Sequence, residues 1–178
     1  MAAPGIDSKQ AGLWVPPGAP YVATGAGPAL TANRGLATRF VCPRSMTITK
    51  VSFFVITAAT ADDPCDVGIY DANGVRLSSS GSKSGLLNST GAKQAALAAP
   101  VALIQGQVYY AAFACGAVGG TAANVQSSGV TGSSYLASMF GTTPPFLEWM
   151  FNSSYFPLPA NFANAGNINQ VPIYALLQ

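Results

Sequence analysis

Alternating apolar and polar positions, which are typical of β-strands, recur through the chain after residue 28. The longest such run is SMTITKVSFFVITA at 45–58, where β-branched and aromatic residues dominate. Both faces of this strand carry apolar groups, which predicts a central strand partly covered on both sides. One face takes Thr49, Val51, Phe53 and Val55, and the other takes Ile48, Lys50, Ser52, Phe54 and Ile56.

Further short strands follow at intervals of about ten residues. CDVGIYD places Cys65, Val67 and Ile69 on one face, and GVRLSSS predicts Val75 and Leu77 inward with Arg76 and Ser78 outward. AKQAALAAPVAL and GQVYYAAFAC predict two more strands joined at Gly106, and QVPIYALLQ predicts the last strand. No segment sustains a helical period. We therefore predict an all-β fold, an antiparallel β-sandwich spanning 28–178.

The acidic stretch Asp71-Ala72-Asn73-Gly74 separates two of these strands. It is either a ligand site or a turn. Asp accepts backbone N–H groups at the start of a type I turn, and Gly adopts positive φ without steric cost. A hairpin turn with a glycine bulge explains each residue and is the preferred interpretation.

Residues 1–27 differ in texture from the rest of the chain. They are rich in Gly, Pro and Ala and follow no period, and proline removes a backbone donor. Trp14, Val15 and Tyr21 are too apolar for a solvated linker. We predict an extended N-terminal arm that anchors these side chains on a neighbouring molecule. The alternative is an arm that lies on its own domain.

Charge is scarce along the 178 residues. The chain is 49% hydrophobic and 8% charged, whereas ordinary domains carry about 25% charged residues. Such a surface is easily buried against a similar neighbour, which favours assembly into a homo-oligomer or larger particle. A weakly charged monomer is the alternative.

Nucleic acid and membrane are not expected partners. The eight basic residues are scattered and the net charge is +2, whereas nucleic-acid affinity requires several phosphates to be neutralised together. The start MAAPGIDSKQ lacks the basic and apolar regions of a signal peptide. AALAAPVALI at 95–104 is too short to span a bilayer. We expect synthesis in a cytosol without membrane insertion.

Catalytic chemistry has few candidates. The chain has no histidine, which removes Ser-His-Asp and Cys-His arrangements and imidazole metal sites. The three cysteines, Cys42, Cys65 and Cys115, lack the spacing of a zinc cluster or disulfide framework, so we expect buried free thiols. No cofactor motif occurs, and GAVGG at 116–120 lacks the Lys-Ser/Thr of a phosphate loop.

Four of the six carboxylates fall between residues 62 and 71. ADDPCD offers oxygens suited to calcium, but it matches no EF-hand spacing and also reads as an ordinary loop before a strand. Glu148 and one of these aspartates are a formal candidate for a glycosidase pair, without a supporting motif. We predict that the protein is not an enzyme.

An aromatic segment lies at 140–162 and includes Phe146, Trp149, Phe151 and Tyr155, interleaved with prolines. Flat rings bury area at low entropy cost, so they serve protein interfaces and carbohydrate stacking alike. Three roles remain open for this segment. It can close the end of the sandwich, form a subunit interface, or present a platform for a host-surface glycan.

Several motifs together resemble a β-sandwich module of tailed-bacteriophage structural proteins. The similarity covers roughly 28–178, and its motifs are fold motifs. They are Val41-Cys42-Pro43-Arg44 before the strand Met46 to Thr49, the hairpin Gly68 to Gly74, the strand pair from Leu103 through Tyr109-Tyr110-Ala111, and the late PLPANF. The resemblance implies a jelly-roll-like sandwich and no catalytic residue.

That family occurs in tail fibres, head fibres and capsid-decorating proteins, so the resemblance implies a place in the virion. The expectation is a virion structural protein that acts by binding. It decorates or forms part of the capsid or tail, contacts other virion proteins, and stabilises the particle or contacts the host. The alternative expectation is a carbohydrate-binding module for host-surface recognition.

Overall fold

The computed structural model describes residues 25–29, 32–42, 44–127, 149–151, 155–161 and 176–177. Within these residues the chain forms ten β-strands and no helix. The predicted all-β antiparallel sandwich is confirmed for this part of the chain. Residues 1–24 of the predicted arm lie outside the described residues.

Six of the ten strands lie at stretches that the alternating pattern predicts, and the other four lie outside them. Strand β3, for example, spans Met46–Thr57, within the predicted stretch 45–58. The strands are β1 Gly25–Ala29, β2 Gly35–Val41, β3 Met46–Thr57, β4 Cys65–Asp71, β5 Arg76–Ser79, β6 Gly91–Leu103, β7 Val108–Cys115, β8 Asn124–Ser127, β9 Trp149–Phe151 and β10 Leu176–Leu177.

The strands form two five-stranded antiparallel sheets. In the first sheet, β3 is central: it pairs with β6 on one edge and with β8 and β10 on the other, and β8 pairs with β1. The second sheet has the order β5-β4-β7-β2-β9. Among these strands the chain changes sheet at every connection except the β4–β5 hairpin, which gives the jelly-roll-like path.

The main core fills the space between the two sheets. Val51 and Phe53 of β3 face Val67 of β4 and Phe113 of β7, and all four are buried. The rings of Phe53 and Phe113 meet edge to face with centroids 5.1 Å apart, an arrangement that aromatic pairs prefer. The sandwich therefore rests on apolar side chains contributed by central strands of both sheets.

A β-bulge changes the predicted faces of β3. The sequence pattern places Ile48 and Val51 on opposite faces of β3, yet both are buried in the main core. The register shifts from Ile48↔Val101 to Lys50↔Ala96, and the alternation of buried and exposed positions in β3 changes phase at this irregularity. Pro100 lies within this irregularity, as expected for a residue without a backbone donor. On the other face, Ser52 is buried whereas Lys50 and Phe54 are exposed.

The faces predicted for the strand after the acidic turn are wrong. Val75 and Leu77 were expected inward but are 44% and 42% exposed, whereas Ser78 is buried. The reason is hydrogen bonding: Ser78 Oγ accepts the N–H of Ala99 in β6 at 3.1 Å. The inward position of Ser78 thus holds a polar side chain that binds the neighbouring strand β6.

The different burial of two isoleucines predicts different losses of stability when each is replaced by alanine. Ile48→Ala removes a fully buried side chain and should lower the free energy of unfolding by about 2–5 kcal/mol. Ile104→Ala is the matched control, because Ile104 is 60% exposed, and should cost less than about 0.5 kcal/mol. Urea unfolding of both variants measures this. Equal losses would contradict the assignment of Ile48 to the core.

Candidate functional site

The acidic stretch 71–74 is a hairpin turn. The Gly74 N–H donates to the Asp71 carbonyl at 3.1 Å, and the Asp71 N–H donates to the Val75 carbonyl at 2.9 Å. Asp71 Oδ1 accepts the N–H groups of Asn73 and Val75, both at 2.9 Å. Gly74 has φ 78°, the region in which glycine is favoured. The predicted turn with a glycine bulge is confirmed, and one carboxylate oxygen of Asp71 serves the turn itself.

Residues 155–161, here called the strap, lie across the outer face of the second sheet. Leu158 of the strap is 1% exposed and forms a second apolar cluster with buried side chains of β2, β4 and β7. Tyr155 and Phe156 pack against the same cluster. The sheet members of this cluster are Ala37, Tyr70, Tyr110, Ala112 and Ala114. Strands β4 and β7 are consequently buried on both faces, which the sequence analysis did not predict.

Two glycines allow the strap to approach the sheet closely. A Cβ added to Gly68 would lie 3.0 Å from Leu158 Cδ1 and 2.9 Å from the Ser78 carbonyl oxygen. One added to Gly116 would lie 2.8 Å from the Phe156 ring. Real Cβ contacts are longer than these distances, so the absence of side chains at both positions creates the space that the strap fills.

Polar contacts fix the strap along its length. Tyr70 Oη donates to the Pro159 carbonyl at 2.7 Å, and the Arg76 N–H donates to the Ala160 carbonyl at 2.8 Å. The Arg76 guanidinium donates to the Leu158 carbonyl. All three bonds therefore run from side-chain or backbone donors of the sheet to carbonyls of the strap.

The Asp66 carboxylate of β4 binds the strap through a hydrogen bond. Its side chain is 0% exposed. Oδ2 accepts the Leu158 N–H at 3.0 Å, and Oδ1 accepts the Ser80 hydroxyl at 3.1 Å. Burial raises the pKa of Asp66 above 3.8, although the bonds from Leu158 and Ser80 and the charge of Arg76 act in the opposite direction. The desolvated carboxylate is thus held by donors from two distant segments.

The other carboxylates of the 62–71 cluster bind backbone amides separately. Asp62 Oδ1 accepts the Gly85 N–H, and Asp63 Oδ1 accepts the Gly119 N–H at 2.8 Å. Asp63 Oδ2 is buried without a hydrogen-bond partner. Within the described residues no group of three or more His, Cys, Asp or Glu side chains could hold a metal ion. Asp62 and Asp63 thus connect separate loops through hydrogen bonds to backbone amides. Glu148 of the formal glycosidase pair lies outside the described residues.

The predicted site residues fall mostly outside the described side chains. Trp14, Val15, Tyr21 and Phe146 lie outside the described residues, and Trp149 and Phe151 are placed only as backbone in β9. Tyr155 lies in the strap and is partly buried. The anchor and platform assignments remain predictions. Sequence reasoning missed Asp66, whose signal was a carboxylate inside the apolar run CDVGIYD.

All three cysteines are free and buried, as predicted. The Cys42 thiol donates to the Arg44 carbonyl at 2.9 Å. Cys65 and Cys115 belong to the main core, where burial raises the pKa of each thiol to about 12. These two thiols stay protonated at neutral pH, so neither Cys65 nor Cys115 acts as a ready nucleophile.

Comparisons with known proteins add no family to this geometry. No protein-family model matches the chain, and no curated protein matches it. Across the described ranges, no helix is long and apolar enough to cross a membrane. The site is therefore interpreted from its own contacts.

The acidic turn predicts a graded response to substitution. Gly74→Val forces a β-branched residue to φ 78° and should cost roughly 1–3 kcal/mol. Asp71→Ala removes two exposed hydrogen bonds and should cost about 0.5–1.5 kcal/mol. Thermal unfolding compares the two. If Asp71→Ala left stability unchanged but abolished binding of an added ligand such as Ca²⁺, the turn would be a site.

Asp66→Asn should remove a pH dependence without releasing the strap. The native state holds the Asp66 proton more tightly than the unfolded state because its pKa is raised. Between the unfolded and native pKa values, wild-type stability therefore falls as pH rises. The Asn side chain can still accept the Leu158 N–H and donate to Ser80 Oγ, because the Ser80 hydroxyl already reaches the Gly81 carbonyl at 2.9 Å.

The measurement is the free energy of unfolding of both proteins from acid pH upward. The Asn variant should lack the decline that begins near pH 3.8 and should equal or exceed the wild type at neutral pH. Asp66→Ala is the control: it leaves the Leu158 N–H without its acceptor and should cost about 1–3 kcal/mol. Parallel pH profiles for wild type and Asp66→Asn would disprove the role assigned to this carboxylate.

Proposed function

We propose that the protein is a structural component of a bacteriophage virion that acts by binding through its surfaces. It decorates or forms part of the capsid or tail and contacts other virion proteins, including further copies of itself. The proposal rests on the motif resemblance of 28–178 to such modules. The observation that carries the binding role is the use of Asp62, Asp63, Asp66 and Asp71 to hold backbone amides.

Exposed groups of the first sheet support assembly with similar surfaces. Strand β6 lies at the sheet edge next to β3, and its exposed positions are small or uncharged. These are Ala92, Gln94, Ala96, Ala98, Ala99, Pro100 and Ala102. Small, uncharged positions lose little solvation free energy on contact with a matching neighbour. This property is expected of a subunit packed in a particle.

The N-terminal arm supplies the proposed anchor. Strand β1 begins at Gly25 and pairs with β8, so the first strand starts within the segment assigned to the arm. Residues 1–24 precede it and contain Trp14, Val15 and Tyr21. A proline-rich segment is already extended, so its ordering on a partner costs less entropy than that of a Gly-Ser linker. Many copies on one particle would add avidity.

A carbohydrate-binding role is the second candidate, and the position of β9 favours it. Trp149 and Phe151 lie in β9, at the edge of the second sheet beside β2. Aromatic residues near a sheet edge can present ring faces to sugars. In this role the 140–162 segment would recognise the glycan. Attachment to the particle through the N-terminal arm would not be needed for that recognition.

The virion proposal is tested by finding the protein in particles. Purified particles of the phage whose genome encodes the chain should contain it in many copies by mass spectrometry. Electron microscopy of the same particles should show the two-sheet domain on head or tail. Its absence from complete particles would overturn the proposal.

Truncation separates the anchor from the body. Deletion of 1–24 keeps β1 intact and should leave melting unchanged while particle binding, measured by co-sedimentation, falls at least tenfold. Trp14→Ala should weaken binding in the same direction. Trp149→Ala is the matched aromatic control and should bind particles normally. Normal occupancy of the truncated protein, or loss of glycan-array binding in Trp149→Ala alone, would favour the carbohydrate role instead.

A further inference from the structure

Two of the buried thiols lie directly opposite each other on neighbouring strands. Cys65 opens β4 and Cys115 closes β7, and the two residues are paired in the antiparallel register. Both side chains are 1% exposed and both belong to the main core, so they project from the same face of the second sheet.

The backbone bonds show which kind of antiparallel pair this is. The Cys65 N–H donates to the Lys83 carbonyl at 2.9 Å, and the Lys83 N–H donates to the Cys65 carbonyl at 2.7 Å. The Cys115 N–H donates to the Arg34 carbonyl at 3.1 Å. Both cysteines therefore direct these backbone groups away from each other, and Cys65↔Cys115 is a non-hydrogen-bonded pair. In such pairs the Cα atoms lie about 4.5 Å apart and the side chains are closest.

That separation falls within the range of about 4.4–6.8 Å that disulfides require. We propose that Cys65 and Cys115 are an oxidation site that forms a cross-strand disulfide and links β4 to β7 at one end of the second sheet. The bond would close the chain from residue 65 to 115, which encloses β5 and β6. The inference does not depend on the proposed function.

The reaction is a thiol–disulfide exchange with a low-molecular-weight disulfide such as oxidised glutathione. One cysteine thiolate attacks the reagent, which forms a mixed disulfide and releases one glutathione thiolate. The second cysteine loses its proton and attacks the protein sulfur of the mixed disulfide. The internal S–S bond forms and a second glutathione leaves, so two protein thiols are oxidised and one reagent disulfide is reduced.

Burial makes this reaction slow in the native state. The pKa of Cys65 is raised to about 12 by burial and by the neighbouring Cys115 and Asp66, and burial with Asp63 raises that of Cys115 to about 12. The thiolate is the reacting species, and both sulfurs are shielded from solvent. Oxidation therefore requires a local opening of this end of the sheet, so its rate should rise steeply with temperature below the melting transition.

Cys42 is the internal control. It follows β2 next to Gln107, at the opposite end of β7 from Cys115, so it has no cysteine partner in the described structure. A Cys42→Ser variant keeps the pair alone, and a Cys65→Ser variant removes one member. Each is incubated with oxidised glutathione at increasing temperatures below its melting point, then unfolded under acid quench for thiol titration and peptide mapping.

Before oxidation, three thiols should titrate in the wild type. Afterwards the wild type should retain one thiol and the Cys42→Ser variant none, with peptides containing residues 65 and 115 linked within one chain. The melting temperature should rise by roughly 5–10 °C and return on reduction. Cys65→Ser should yield no internal link. Three free thiols throughout, glutathione adducts without closure, linkage through Cys42, or a lower melting temperature after linkage would each overturn the proposal.

Discussion

The buried Asp66 carboxylate joins two segments that are distant in sequence, strand β4 and the strap at 155–161. A carboxylate without solvent needs donors, and the Leu158 N–H is one of them. Leu158 lies against Gly68, and the aromatic side chains Tyr155 and Phe156 pack against the same outer cluster. Strands β4 and β7 of the second sheet are thereby buried on both faces, which gives the domain two apolar clusters rather than one.

The acidic and thiol side chains of the described residues serve the fold itself. The aspartates between 62 and 71 accept hydrogen bonds from backbone amides. The cysteine thiols lie in the apolar interior. The turn that first resembled a ligand site holds its own hairpin with Asp71. The exposed positions of β6 are small or uncharged, and the edge strand β9 lies beside β2.

Local pattern predicted most strands, because a two-residue period follows from backbone geometry alone. It failed at Ile48, where the pairing of β3 with β6 is irregular. It failed again at Val75 and Leu77, near which Ser78 takes the inward position and accepts the Ala99 N–H. It also missed the strap, since the apolar run YYAAFAC does not show which second layer covers it. Asp66 was recognisable as an acid in a buried strand, but its partner lies 92 residues away and no local pattern identifies it.

The central claim is that Asp66 fixes the strap on the second sheet. Amide hydrogen exchange at Leu158, compared between wild type and Asp66→Ala under conditions where both remain folded, tests it most directly. The account predicts a slow Leu158 amide in the wild type and much faster exchange in the variant, while core amides of β3 and β7 keep their protection. Fast exchange in the wild type, or the same slow rate in both proteins, would contradict it.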